Sequence, residues 1–358
     1  MFFDSDHGGN VFRLARQLGI TPDGITDFSA SINPLGLSPL VKQSLIAALD
    51  TLVHYPDSGH ETLKQTLAVY HGVPANSIVP ANGSTELIYQ LPSLLSGKRA
   101  LIISPAFSEY ERALVLHQWE VHTFILQPEN GFDLDLSRLE ELLANGYHAL
   151  YLCNPGNPSG KLYPLPLIEQ VSRLCSRYNA FLVLDEAFMD FCEDASAKRF
   201  IVTVGNSVIL RSMTKFFAIP GLRLGYAIAG EKVAKQLAAI SPPWNVNTLA
   251  LVAGVAAIQD TEHNHRTVNS VMEERNYLCE QLARFQMLRV YRTAVNFLLL
   301  ELTNGLTASE LKGHLLNSRL LIRDCANFTG LTPHFFRIAI RTREENRSLL
   351  ECLEKVLK

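Results

Sequence analysis

Cysteine is scarce and scattered in this chain of 358 residues. The six cysteines, Cys153, Cys175, Cys192, Cys279, Cys325 and Cys352, form no C-x-x-C pair and no grouping with histidine at metal-ligand spacing. That pattern excludes a disulfide framework and a zinc-ribbon site, and it reads as unpaired thiols in a reducing compartment with no metal. An excess of one charge sign is missing too. Lys and Arg number 32 against 35 Asp and Glu, a formal net charge of −3 with both signs dispersed. No basic face points to nucleic acid, and no acidic tail points to a disordered arm. No uninterrupted apolar run reaches spanning length, and the start "MFFDSDHGGN" has no basic stretch leading into an apolar one. Neither a membrane anchor nor a signal peptide is expected, and the implied location is the cytoplasm. Internal repeats and low-complexity tracts are lacking as well.

What remains is an ordinary globular balance, 47% hydrophobic and 19% charged. At roughly 100 to 200 residues per domain, the length allows two domains, or one large domain with a smaller one. Residues 1–40, rich in Gly, Asp, Ser and Pro, read as an N-terminal arm with one helical segment, "VFRLARQLG", and a turn at "INPLG". From 41 to 260, apolar runs at 99–104, 148–153, 180–185, 207–212 and 224–229 are mostly separated by helix-length amphipathic stretches. Such strands are apolar on both faces, so this large domain is expected to be α/β, with a mostly parallel central sheet covered by helices. A long helix over roughly 262–285 then leads into a different texture. Strand-like "LRVYRT", "NFLLLEL", "LLIRDC" and "FFRIAI" alternate with two helices, which makes 261–358 a small C-terminal α+β domain.

In open α/β sheets, ligands collect beyond the carboxyl ends of the strands. After "ALYLC" comes Asn154-Pro-Gly-Asn157-Pro-Ser-Gly160; after "FLVL" comes Asp185-Glu-Ala-Phe188; after "VILR" comes Ser212-Met-Thr-Lys215. Singly these are a turn-rich loop, a helix start and a surface lysine. Together they describe an amide, a carboxylate and an amine converging on one crevice.

The ordered set N-P-x-N-P-[ST]-G, D-E-A-[FY] and S-x-[ST]-K-x-[FY]-x-[IL]-x-G-x-R-x-G-[YW] resembles the fold-type I pyridoxal phosphate enzymes, the aminotransferase superfamily, and the likeness runs through most of the chain. The resemblance implies pyridoxal 5'-phosphate as cofactor. Lys215 would link covalently to its aldehyde, and Asp185 would pair with the pyridine nitrogen. Asn157 would donate to the ring oxygen, and Phe107 would stack on the ring. Many relatives carry a tyrosine where this chain has Phe188, so a second donor to that oxygen is not expected here. Ser84 and Thr85, at the start of a helix opened by a glycine turn, would form the phosphate site with Ser212 and Arg223. Tyr55 would reach the cofactor phosphate of a neighbouring subunit, which implies a homodimer with shared active sites.

The strings "HGGN", "DFSASINPLG", "LLIRDCANF" and "FFRIAI" are similar to the threonine-phosphate decarboxylase branch more than to the histidinol-phosphate aminotransferase branch. That likeness implies decarboxylation of L-threonine O-3-phosphate to (R)-1-aminopropan-2-yl phosphate and CO2, supplying the aminopropanol linker of cobalamin. Arg337 would bind the substrate α-carboxylate with Asn157 assisting. Arg323, His7, Gly8 and Ser31 would bind its phosphate. Ser31 stands where that branch usually has asparagine, which leaves a preference for L-serine O-phosphate open. An aminotransferase of the histidinol-phosphate type is the alternative activity. A pyridoxal-phosphate-binding regulator is the non-catalytic one, and the lack of a basic helix-turn-helix speaks against it.

Overall fold

The computed structural model describes residues 8–357. Thirteen strands occur among them: β1 (Thr26–Asp27), β2 (Ile78–Ala81), β3 (Arg99–Ser104), β4 (Glu120–Ile125), β5 (Ala149–Cys153), β6 (Phe181–Asp185), β7 (Ser207–Ser212), β8 (Gly225–Ala229), β9 (Leu288–Val290), β10 (Phe297–Leu302), β11 (Leu320–Leu321), β12 (Arg323–Asp324) and β13 (Phe335–Ala339).

Seven of them form one sheet in the order β2-β8-β7-β6-β5-β3-β4. The strands from β7 across to β4 run parallel, whereas β8 is antiparallel to both its neighbours. The cause lies in the connections. Helices such as Leu165–Arg177 return the chain between parallel strands, but residues 213–224 between β7 and β8 hold only the short turn Pro220–Leu222. Without a crossover helix the chain comes back antiparallel. Neighbouring side chains on β3 show the two covered faces: Ala100 and Ile102 enter one apolar cluster with the helices Ser84–Leu94 and Glu109–Leu116, while Leu101 and Ile103 enter the other with Leu136–Leu143 and Leu165–Arg177.

The five apolar runs became β3, β5, β6, β7 and β8. Both edge strands, β2 and β4, escaped the sequence reading. In β2 a proline interrupts "IVPA", and it is tolerated because this strand has a neighbour on one side only. In β4, "EVHTFI", every residue is exposed or only partly buried and polar residues break up the apolar ones, so no continuous apolar run exists to be seen.

The C-terminal strands form an antiparallel sheet, β12-β13-β10-β9, with the helices Thr261–Leu282, Ala308–Leu316 and Arg343–Leu357. The N-terminal segment is stitched to this sheet and to the loop after β7. β1 pairs in parallel with β11, Ala339 N donates to Phe28 O at 2.8 Å, and Asn33 N donates to Lys215 O at 3.0 Å. Asn33 Nδ2 adds buried bonds to Phe216 O at 2.9 Å and Thr267 Oγ1 at 2.8 Å. Among the described residues no helix is long and apolar enough to cross a membrane.

Candidate active site

Because β3, β5, β6 and β7 run parallel, the segments after their carboxyl ends meet at one edge of the sheet. They line a cavity of about 640 Å³. Of the residues singled out from the sequence, Gly8, Ser31, Ser84, Thr85, Phe107, Asn157, Asp185, Lys215, Arg223, Arg323 and Arg337 all lie on its wall. Ser212 is buried just behind it, sharing a hydrogen bond of 2.8 Å with Thr214 Oγ1. Tyr55 is not brought to the cavity. It is 80% exposed and stacks on Trp244 with ring centroids 4.6 Å apart. His7 lies outside the described residues.

Lys215 Nζ donates to Thr214 Oγ1 at 2.6 Å and sits 5.7 Å from the centre of the Phe188 ring. Burial lowers its pKa to about 8; Arg223 and Arg337 press in the same direction, and Asp185 partly offsets them. An amine so placed reaches its neutral, nucleophilic form near neutral pH. Asp185 ends β6, and burial pushes its carboxyl up from the usual range. Three groups oppose that push: the Tyr110 hydroxyl, which donates to Oδ2; the Ala187 N–H, which donates to Oδ1 at 2.8 Å; and the Lys215 charge.

Also on the cavity wall, the helix Ser84–Leu94 begins at Gly83 without a side-chain cap among the described residues. Its first N–H groups are therefore open to an anion. Arg223 flanks this helix start from a left-handed backbone conformation, φ 60°, with Nη1 donating to Pro220 O at 3.0 Å. Gly83 itself has φ +79°, and a Cβ there would come within 2.9 Å of Arg223 Nη2. Glycine thus brings helix start and guanidinium together.

Arg323 on β12 and Arg337 on β13 are direct cross-strand partners, and both are buried. Like charges opposite one another destabilise a strand pair. Yet among the described residues neither forms an ion pair with a carboxylate. Arg337 donates to Asn157 Oδ1 and to Ser29 O, and its guanidinium lies 4.8 Å from the Phe297 ring centre. Its Nε has no hydrogen-bond partner among the described residues. Arg323 donates to Asn327 Oδ1 at 2.7 Å and to Asp324 O, against the Phe328 ring at 5.2 Å. Burial and the neighbouring Arg323 charge lower the Arg337 pKa to about 10. The Asp27 carboxylate on the same cavity wall offsets part of that effect, so the two guanidinium groups sit close together with one carboxylate acting on Arg337 from a distance.

The donor set fits pyridoxal phosphate. A neutralisable amine and a buried carboxylate face one cavity, an aromatic side chain follows β3, and an uncapped helix start with an arginine supplies an anion site. Asn157 spends its oxygen on Arg337, so its Nδ2 remains the donor for a ring oxygen. Sequence reasoning missed Tyr110, and it gave Thr214, a position of its own motif, no role. Tyr110 follows Phe107 by three residues in "AFSEY", and only the packing of its helix on the sheet turns its hydroxyl to Asp185.

Residues 23–353 match the family model described as aminotransferase class I and II. The chain is 40% identical over 359 aligned residues to the threonine-phosphate decarboxylase of Salmonella typhimurium, covering 99% of this chain and 97% of that one. The crystal structure of L-threonine-O-3-phosphate decarboxylase from Porphyromonas gingivalis is similar with a TM-score of 0.80 and 31% identity, over 92% of this chain and 98% of that one. The histidinol-phosphate aminotransferase of Clostridium acetobutylicum is similar with a TM-score of 0.86 and 30% identity, over the same shares of the two chains. With its fold, its cavity and these likenesses in agreement, the chain belongs to the aminotransferase class I and II family.

Proposed function

We propose that this enzyme uses pyridoxal phosphate to decarboxylate L-threonine O-3-phosphate, giving (R)-1-aminopropan-2-yl phosphate and CO2 for the aminopropanol linker of cobalamin. One observation carries the reading. Two buried guanidinium groups, Arg323 and Arg337, stand opposite each other, neither in an ion pair with a carboxylate among the described residues, in the cavity that holds Lys215 and Asp185. A substrate bearing one carboxylate and one phosphate meets that pair charge for charge. The names carried by the similar decarboxylases support the same substrate.

In this reading Lys215, Asp185, Asn157, Phe107, Ser84, Thr85, Ser212 and Arg223 hold the cofactor. Bound there, pyridoxal phosphate supplies an electron sink. Asp185 keeps a proton on the pyridine nitrogen. Arg337, with Asn157, orients the α-carboxylate; Arg323, Gly8, Ser31 and His7 hold the substrate phosphate. Once the carboxyl carbon has left as CO2, Lys215 Nζ returns a proton to Cα, which balances the step. The aromatic rings behind both guanidinium groups limit water on that side and strengthen their grip.

The enzyme is read as a cytoplasmic homodimer with shared sites, Tyr55 reaching the partner's cofactor phosphate. Support comes from the exposed apolar surface around it, where Leu49, Leu52 and Val53 precede the Tyr55–Trp244 stack. All six cysteines are free, as a reducing compartment requires.

The test is product analysis with threonine phosphate and with serine phosphate, each with and without 2-oxoglutarate. Release of CO2 without an oxo-acid is expected. An absolute need for 2-oxoglutarate hands the site to the aminotransferase reading, which the similarity to the histidinol-phosphate enzyme keeps as the second one. Ser31 bears on substrate choice: its Oγ is buried in the cavity wall without a hydrogen-bond partner among the described residues.

A further inference from the structure

Tyr110 stands in the first turn of the helix Glu109–Leu116 and is 1% exposed. It touches two of the groups expected to hold the cofactor. Its hydroxyl donates to Asp185 Oδ2, and its ring meets Phe107 edge to face, with centroids 5.9 Å apart and planes at 86°. Tyr151 packs on it from behind at 5.6 Å, tilted by 36°, so the ring is wedged in place.

Asp185 has a conflicting task. To hold a proton on a ring nitrogen it must be ionised, yet its burial favours the neutral acid. Its stabilisers are the Ala187 N–H, the Tyr110 hydroxyl and the Lys215 charge. Lys215 gives up its free amine when it links to the cofactor, so the first two remain. Tyr110 can only donate here: burial and the Asp185 charge push its hydroxyl well above its ordinary value. Each carboxylate oxygen then accepts one fixed hydrogen bond and keeps a further lone pair with which it could accept from a protonated pyridine nitrogen.

We propose that Tyr110 is a positioning residue for the cofactor, its hydroxyl fixing the Asp185 carboxylate against the pyridine nitrogen while its ring props Phe107 against the cofactor face. This rests on the reading that the cavity takes pyridoxal phosphate.

The experiment compares wild-type holoenzyme with Y110F, which keeps the ring, and Y110L, which removes it. Cofactor affinity, the ¹⁵N chemical shift of labelled pyridoxal phosphate, and kcat and KM for threonine phosphate are measured. For Y110F the dissociation constant of the cofactor is expected to rise about tenfold to hundredfold, as for loss of one hydrogen bond to a charged group. The ring nitrogen should lose its proton at lower pH than in wild type, and kcat should fall while KM stays within about twofold. In Y110L the circular dichroism of the bound cofactor should change further, as Phe107 loses its support. A merely structural tyrosine would lower the thermal midpoint of the apoprotein without moving the nitrogen shift, and that result overturns the proposal, as does a Y110F that matches wild type throughout. If wild type itself takes up no cofactor, the parent reading falls and this one with it. Should Y110L fail to fold, Y110F alone decides.

Discussion

Lys215 owes its low pKa first to burial and then to two arginines, so its amine gains a proton as pH falls through about 8. Only the neutral amine attacks an aldehyde. Capture of pyridoxal phosphate by the apoprotein should therefore speed up as pH rises to about 8 and level off above it, which stopped-flow absorbance would record. The variant K215A should abolish both the visible absorption of the bound cofactor and turnover. At the substrate end, R337A or R323A should cost about 2–5 kcal/mol in kcat/KM, the range for truncating one partner of a buried charged contact. R337K should recover little, because one ammonium cannot serve Asn157, Ser29 and a carboxylate in a fixed plane. Most of these residues were legible because the motif strings contain them. Tyr110 was not, because a tyrosine in a helix has no signature until packing sets it at hydrogen-bond distance; Thr214 stands in the motif string, but its bond to Lys215 was not read from it.

The loop joining β7 to β8 carries both Lys215 and Arg223, and its shape depends on elements far away in sequence. Asn33 ties it to the N-terminal segment through its N–H to Lys215 O and its Nδ2 to Phe216 O, and the same Nδ2 reaches Thr267 Oγ1 on the helix Thr261–Leu282. Replacing Asn33 by alanine leaves an acceptor behind, and should destabilise the fold by about 1–3 kcal/mol. Thermal unfolding of the apoprotein checks this, together with weakened cofactor binding as the loop loosens. A second brace is Arg211, fully buried on β7 one residue before Ser212, where it meets Glu186, Asp190 and Glu193. Glu186 adjoins Asp185, so the ion cluster locks the ends of β6 and β7 to one another. Removing the guanidinium in R211M should cost about 3–5 kcal/mol, since it strands carboxylates in the core. Denaturant unfolding would measure it. Apolar runs revealed the strands buried on both faces, but the edge strands β2 and β4 and the antiparallel turn of β8 depended on pairing that no local run encodes.

At the scale of the whole molecule, Tyr55 and Trp244 form an exposed stacked pair beside Val53, itself 81% exposed. With the shared-site reading, sedimentation equilibrium should give a dimer, and Y55D should shift it towards monomer and weaken cofactor binding. A dimer that persists with unchanged binding would remove Tyr55 from the site.

The sequence alone determined which chemical groups are available and the order in which the chain delivers them. Continuous apolar runs demand a covered sheet, and the residues after such runs must fall at its carboxyl edge, so an amine, a carboxylate and an amide were bound to meet. Only the tertiary structure decided their environment. Burial of Asp185 beside Tyr110, the direct opposition of Arg323 and Arg337 across β12 and β13, and the low pKa of Lys215 all arise from distances between segments remote in sequence. Electrostatic energies depend on separation and on exclusion of water, and neither exists until the chain has packed.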